Sequence, residues 1–157
     1  MLRDWKSAWL APPIFLCHFL EEGTRFLAWL NLRADPDMSV GSFYAINAVA
    51  LLVTVALAAA AVAGGRWSAL LFLGWLGFLM LGNGILHLLA TLYFAEYCPG
   101  SVTAALLYLP YFAWMLHRVR TRLGVAWGRC ALATLFGALP MLAQGYAVLV
   151  MGRRLLW

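Results

Sequence analysis

Phe43 to Ala63 reads FYAINAVALLVTVALAAAAVA, a run without a single charged side chain. Wound as an α-helix at ~1.5 Å per residue, it reaches across the ~30 Å hydrocarbon core of a bilayer. It has no polar face for water and no alternation of the kind a half-buried strand needs, so it reads as a membrane-spanning helix. Outward from it, the chain repeats the pattern. Gly64-Gly65-Arg66 makes a tight turn into an apolar run from Trp67 to Phe94, and the polar turn Arg33-Ala34-Asp35-Pro36-Asp37 separates it from Ala8 to Leu30. Beyond Cys98-Pro99-Gly100 lie Val102 to Leu116, a basic loop from His117 to Arg122, and Val125 to Met151. The expected fold is all-α, a polytopic transmembrane helical bundle of about five spans forming one domain over residues 1–157. Val102 to Leu116 is the weakest of them, shorter than the ~20 residues a crossing needs.

Composition agrees. The chain is 65% hydrophobic and only 11% charged, with a mean hydropathy of +0.86, more apolar surface than a soluble core of this size buries. Its Trp and Tyr suit headgroup level, with Trp5, Trp9, Trp29, Trp67, Trp127 and Trp157 near the proposed span ends. The net charge of +5 sits in short loops, where it sets orientation and does not call for nucleic acid. The N-terminus, Arg66 and the loop of Arg118, Arg120 and Arg122 fall on one side, against Arg33, Arg153 and Arg154 on the other. The positive-inside rule makes the first side, and with it the N-terminus, cytoplasmic. Cys17, Cys98 and Cys130 lie on separate segments and are not expected to pair. Arg3 and Lys6 precede an apolar run that carries two glutamates and no cleavage site, so that run is expected to be a retained span.

Those glutamates are the chemical signal. Glu21 and Glu22 follow His18 inside the first span, where a carboxylate costs at least ~2.5 kcal/mol even on lenient insertion scales. On an ideal helix they flank His18 by about 60° and 40°, and Arg25 falls about 20° from it, one stripe that invites an ion pair. Asn83 and His87 form a second polar pair, four residues apart on the third span. Counting from the cytoplasmic end, His18 lies ~15 Å deep, Glu22 ~21 Å, Asn83 ~24 Å and His87 ~30 Å, so the sets overlap in the outer half. Tyr44, Asn47, Tyr108 and Gln144 fall in the same layer. Gly74, Gly77, Gly82 and Gly84 allow close helix approach.

Two imidazoles and a carboxylate on facing helices suit a divalent metal, zinc first, with His18, Glu22 and His87 as ligands. A di-iron centre fits less well, because such bundles recruit about four carboxylates and Glu96 is the only other acid nearby. In the catalytic version the metal lowers the pKa of a water toward ~7, one of Glu21 and Glu22 acts as general base, and Asn83 orients a substrate oxygen. The expected partner is the bilayer and a hydrophobic small molecule or lipid as substrate. The alternative is a metal-binding or proton-coupled transporter using the same residues without bond cleavage; a purely structural bundle is the third reading.

His18-Phe19-Leu20-Glu21-Glu22, Asn83-Gly84-Ile85-Leu86-His87 and Tyr97-Cys98-Pro99-Gly100 resemble, in order and spacing, the HXXEE, NxxxH and Y-x-P-G elements of the HXXEE family of small bacterial integral membrane proteins. The resemblance implies a membrane fold in a bacterial inner membrane, implicates these residues as the site and attaches the Y-x-P-G turn to it; it names no reaction. Physically, that turn opens a helix whose N-terminal dipole can face an anion. The paired-glutamate pattern of CAAX-processing intramembrane proteases is more distant: two residues separate Glu22 from Arg25 where that family has three, and Asn83 stands where it has phenylalanine.

Overall fold

The computed structural model describes residues 3–33 and 38–152. Most of the Arg33–Asp37 turn, and Arg153, Arg154 and Trp157, lie outside the described residues. Within them every regular element is helical. A 3-10 run, Arg3–Leu10, leads directly into α1, Ala11–Arg33; α2 is Val40–Ala63 and α3 is Arg66–Phe94. Residues 101–123 form α4, and α5 is Trp127–Met151. Three of these helices, α2, α3 and α5, are long and apolar enough to cross a membrane.

The exposure pattern shows what solvent the bundle is built for. In α3 61% of the most apolar stretch is buried, but in α2 only 17% is, so α2 packs one face on the core through Leu51, Leu57, Ala58 and Ala61 and leaves Val49, Leu52 and Val55 exposed. A helix apolar all round and exposed on most sides is stable only against lipid. α3 is the central helix. It meets α5 through backbone: a Cβ on Gly77 would stand 2.7 Å from the Thr134 carbonyl oxygen, and one on Gly82 2.9 Å from the Met141 Cβ. The glycines thus serve the close approach expected of them. α2 and α3 are tied by the Trp75 indole donating to Thr54 Oγ1 at 2.9 Å, which itself donates to the Ala50 carbonyl at 2.7 Å. Phe15, Phe72, Leu76, Met80, Phe112 and Met115 join the main core; Leu27, Leu30, Phe43, Ala90 and Val148 form a second cluster around the other end of α1.

Two helices depart from regular winding near the polar layer. α3 widens to π turns over Gly77–Gly82, immediately before Asn83, and α4 does so over Ala104–Tyr108. In α4 the widening precedes Pro110, which has no N–H to give the Leu106 carbonyl. The basic stretch His117 to Arg122 is a correction to the expected loop. It continues α4 to Leu123, with the Thr121 hydroxyl bonded to the His117 carbonyl at 2.8 Å and with Arg120 and Arg122 in the last turn, where cations complement the helix dipole. Trp5 and Trp29, expected to present their rings outward at span ends, are instead buried, Trp5 in the main core and Trp29 in the second cluster.

Candidate metal centre

α1 carries His18 and Glu22 one helical turn apart, and the next residue ends the regularity. Gly23 has φ 44° and ψ −148°, a conformation open to glycine and strained for other residues. This break rotates everything beyond it. Arg25, placed by the ideal-helix count on the His18 stripe, is exposed, and among the described residues it makes no ion pair with either glutamate. The expected Glu–Arg pairing is therefore corrected, and neither carboxylate is neutralised by that arginine.

Glu22 points inward. Its Oε1 lies 3.3 Å from His18 Nε2 and 3.0 Å from His87 Nε2. Each of the three residues offers one ligand atom, and these atoms lie within 4.8 Å of one another. All three side chains are buried. The far sides of both rings are held as well. His18 Nδ1 is 2.8 Å from Thr103 Oγ1, and His87 Nδ1 is 3.4 Å from Cys98 Sγ. Asn83 Nδ2 approaches His18 Nε2 at 3.1 Å, which makes Nε2 the acceptor and puts the ring proton on Nδ1, facing the threonine. The Glu22 carboxylate stands 3.3 Å from the same nitrogen. His87 Nε2 lies 3.0 Å from Glu22 Oε1, close enough for an ion-pair contact but without the alignment a hydrogen bond requires.

Aromatic rings seal the cluster. Tyr108 stacks on His18 with centroids 4.1 Å apart, Phe26 lies 4.8 Å from the His87 centroid, and the two imidazoles meet edge-on at 4.9 Å. Gly100 closes the top. It sits at φ 100°, and a Cβ there would fall 2.7 Å from His87 Cε1 and 2.9 Å from His18 Cε1. A cavity of about 100 Å³ opens on the remaining side, bordered by Asn83, Asn47, Phe78 and Met141. That is room for several waters or one small polar group. Of the other polar-layer residues, Tyr108 contacts the cluster, Gln144 is buried, and Tyr44 stands apart, half exposed against Phe19.

Glu21, one residue from Glu22, has different neighbours. Its Oε1 accepts from the Gly100 and Val102 N–H groups at 3.1 and 3.0 Å, and its Oε2 from the Thr103 N–H at 2.7 Å. The Tyr97 hydroxyl donates to Oε1 at 2.5 Å. Burial and this carboxylate push the Tyr97 phenol up to about 12. Glu21 is thus a helix cap supplied by another helix, satisfying the free N–H groups at the start of α4 and sitting at its positive pole. The anion faced by the Pro-Gly turn is the chain's own. With both oxygens engaged in this way, Glu21 positions the Thr103 hydroxyl against His18.

The turn is pinned from α3 also. The Ser101 hydroxyl bonds the Cys98 carbonyl at 2.7 Å, and Thr91 Oγ1 accepts the Cys98 N–H at 3.2 Å. Cys98, which the sequence marks only as a cysteine not expected to pair, is buried beside His87, and burial together with the Glu22 charge pushes its thiol up to about 12, so it remains S–H. Thr103, Thr91 and Ser101 were not visible as site residues in the sequence; the only hint is that Thr103 and Ser101 follow the Y-x-P-G turn directly. Glu96 lies outside the cluster, paired with Arg33 and accepting the Trp29 indole N–H at 2.7 Å.

The family model described as "Protein of unknown function with HXXEE motif" matches residues 9–115, which takes in α1 through most of α4 and every residue of the cluster. The chain belongs to this family. No curated protein and no solved structure matches it.

Proposed function

We propose, for this member of the HXXEE family, an integral membrane metalloenzyme in which His18, Glu22 and His87 hold one divalent cation, zinc before a di-iron pair, and act on a lipid-soluble substrate. The observation that carries it is the convergence of two imidazole nitrogens and a carboxylate oxygen in a buried site, with His87 Nε2 beside the carboxylate and making no aligned hydrogen bond. Buried electron-pair donors facing one another repel unless a cation lies among them. Holding the opposite nitrogens by a hydroxyl and a thiol fixes ring orientation, as outer-shell partners of metal-bound histidines do. A bound zinc would supply Lewis acidity and an acidified water. Glu22 is a ligand in this reading, and Asn83, beside the cavity, orients the substrate oxygen. Glu21 is a positioning residue. Hydrolysis or proton transfer is the reaction class such a site supports.

The same reading places the protein in a bacterial inner membrane with its N-terminus cytoplasmic. α1 and α4 cross beside the three more apolar helices, making five spans; the arginines at the end of α4 reach headgroup level. One observation favours a relay instead: Thr103, His18, Glu22, His87 and Cys98 form an unbroken line of polar contacts. In that second reading ions or protons pass and no substrate bond breaks.

Metal analysis of the detergent-purified chain tests the proposal. One zinc per chain, lost in both His18→Ala and His87→Ala, is the expected result; folded, metal-free protein that takes up no zinc on titration overturns it. Ion flux in proteoliposomes, abolished by Glu22→Gln, would select the relay.

A further inference from the structure

A larger cavity, about 830 Å³, opens between α2, α3 and α5, away from the histidines. This is the size of a pocket for a lipid-like ligand. Leu57, Leu71, Trp75, Leu132 and Phe136 form its apolar walls. Its floor is backbone. Gly74 and Gly137 meet so closely that a Cβ on Gly137 would fall 1.8 Å from the Gly74 carbonyl oxygen. A side chain at Gly137 would run into the α3 backbone, and one at Gly74 would press on the Ala133 carbonyl oxygen at 3.2 Å.

Charge is confined to one end. Among the described residues Arg129 is the only charged one lining the groove, in the first turn of α5, with its guanidinium 5.9 Å from the Trp67 ring. Trp67 and Trp127 at this end are both strongly exposed, as indoles at headgroup level are. Free N–H groups at the start of α5 add to the positive potential there. From Trp67 the groove runs ~16 Å along α3, at 1.5 Å per residue, to Phe78 and Pro140. Phe78 is also a wall of the cavity at the histidine cluster. A cation at the interfacial end and an apolar channel leading inward complement an anionic headgroup carrying an acyl chain.

We infer that this groove binds one anionic amphiphile, its headgroup on Arg129 and its acyl chain laid along Gly74 and Gly137 toward Phe78. The site stands whether or not the histidine cluster holds metal. Its test is native mass spectrometry of the full chain released from nanodiscs containing equal phosphatidylglycerol and phosphatidylcholine, with and without zinc. One retained phosphatidylglycerol is expected, enriched about fivefold over phosphatidylcholine, the ratio corresponding to ~1 kcal/mol for one basic residue near the surface. Arg129→Gln should remove the enrichment, and Leu71→Trp, which fills the groove, should remove the retained lipid. Leu132→Trp fills it from the other wall if Leu71→Trp does not fold. Equal retention of the two lipids, enrichment that survives Arg129→Gln, lipid retained by a folded filling variant, or a dimer that covers the groove without lipid would each overturn the inference. Retention that is unchanged when zinc is absent separates this site from the metal reading.

Discussion

Glu22 and Glu21 are adjacent in sequence and stand in two unlike regions of the molecule. In the Glu22 region a carboxylate and two imidazole nitrogens converge, and His87 Nε2 makes no aligned hydrogen bond. The Glu21 region is saturated, with three backbone N–H groups and a phenol on one carboxylate. Successive helical residues point about 100° apart, so one can face the bundle interior while its neighbour reaches the start of another helix. The lesson is that an intramembrane charge pair need not be a single functional unit. One carboxylate can be structural so that the other can be chemical, and the structural one works at a helix terminus, where its charge is stabilised by N–H groups without a counter-cation.

The sharpest way to break this contrast is to remove a proposed ligand. His87→Ala should abolish stoichiometric zinc binding, measured by competition with a chromophoric chelator; unchanged affinity would make the two regions equivalent. Glu21→Gln should act less strongly, since it loosens the Thr103 support of His18 without deleting a ligand. A fall in zinc affinity of ~10–100-fold is the expected size of an outer-shell loss, and Thr103→Val should reproduce part of it if the support runs through that hydroxyl. Gly100→Ala forces a side chain into a positive-φ position against both rings, a strain of ~1–3 kcal/mol, readable as a lower melting temperature in detergent. Arg25→Ala is the smallest. An exposed arginine outside the cluster should change stability by no more than ~0.5 kcal/mol; a large loss would restore the ion pair that the Gly23 break removes.

Much of this was legible in the sequence, for reasons particular to each part. Long apolar runs report helices directly, and each of the expected stretches is largely helical. His18, Glu22, Asn83 and His87 were recoverable as polar pairs spaced one turn apart within their helices, but the depth count, which takes each helix as straight and upright, sets the two histidines ~15 Å apart where their ring centroids lie 4.9 Å apart. The limits are equally specific. The ideal-helix count fails at Gly23, whose backbone breaks the stripe and turns Arg25 away. Nothing local distinguishes Glu21 from Glu22, because the difference lies in N–H groups some eighty residues further along the chain. Thr103 and Cys98 became site residues only when the Pro-Gly turn packed over the imidazoles. The helical winding of His117 to Arg122 was hidden by its charge, which reads as a loop when the dipole of the preceding helix is left out.

X-ray absorption spectroscopy of the zinc-loaded protein tests the central claim most directly. The account predicts a first shell of nitrogen and oxygen near ~2.0–2.1 Å, with two imidazoles in the multiple scattering and no sulfur, since Cys98 lies on the Nδ1 side of His87. A sulfur ligand at ~2.3 Å, or a spectrum unaltered in His18→Ala, would contradict it.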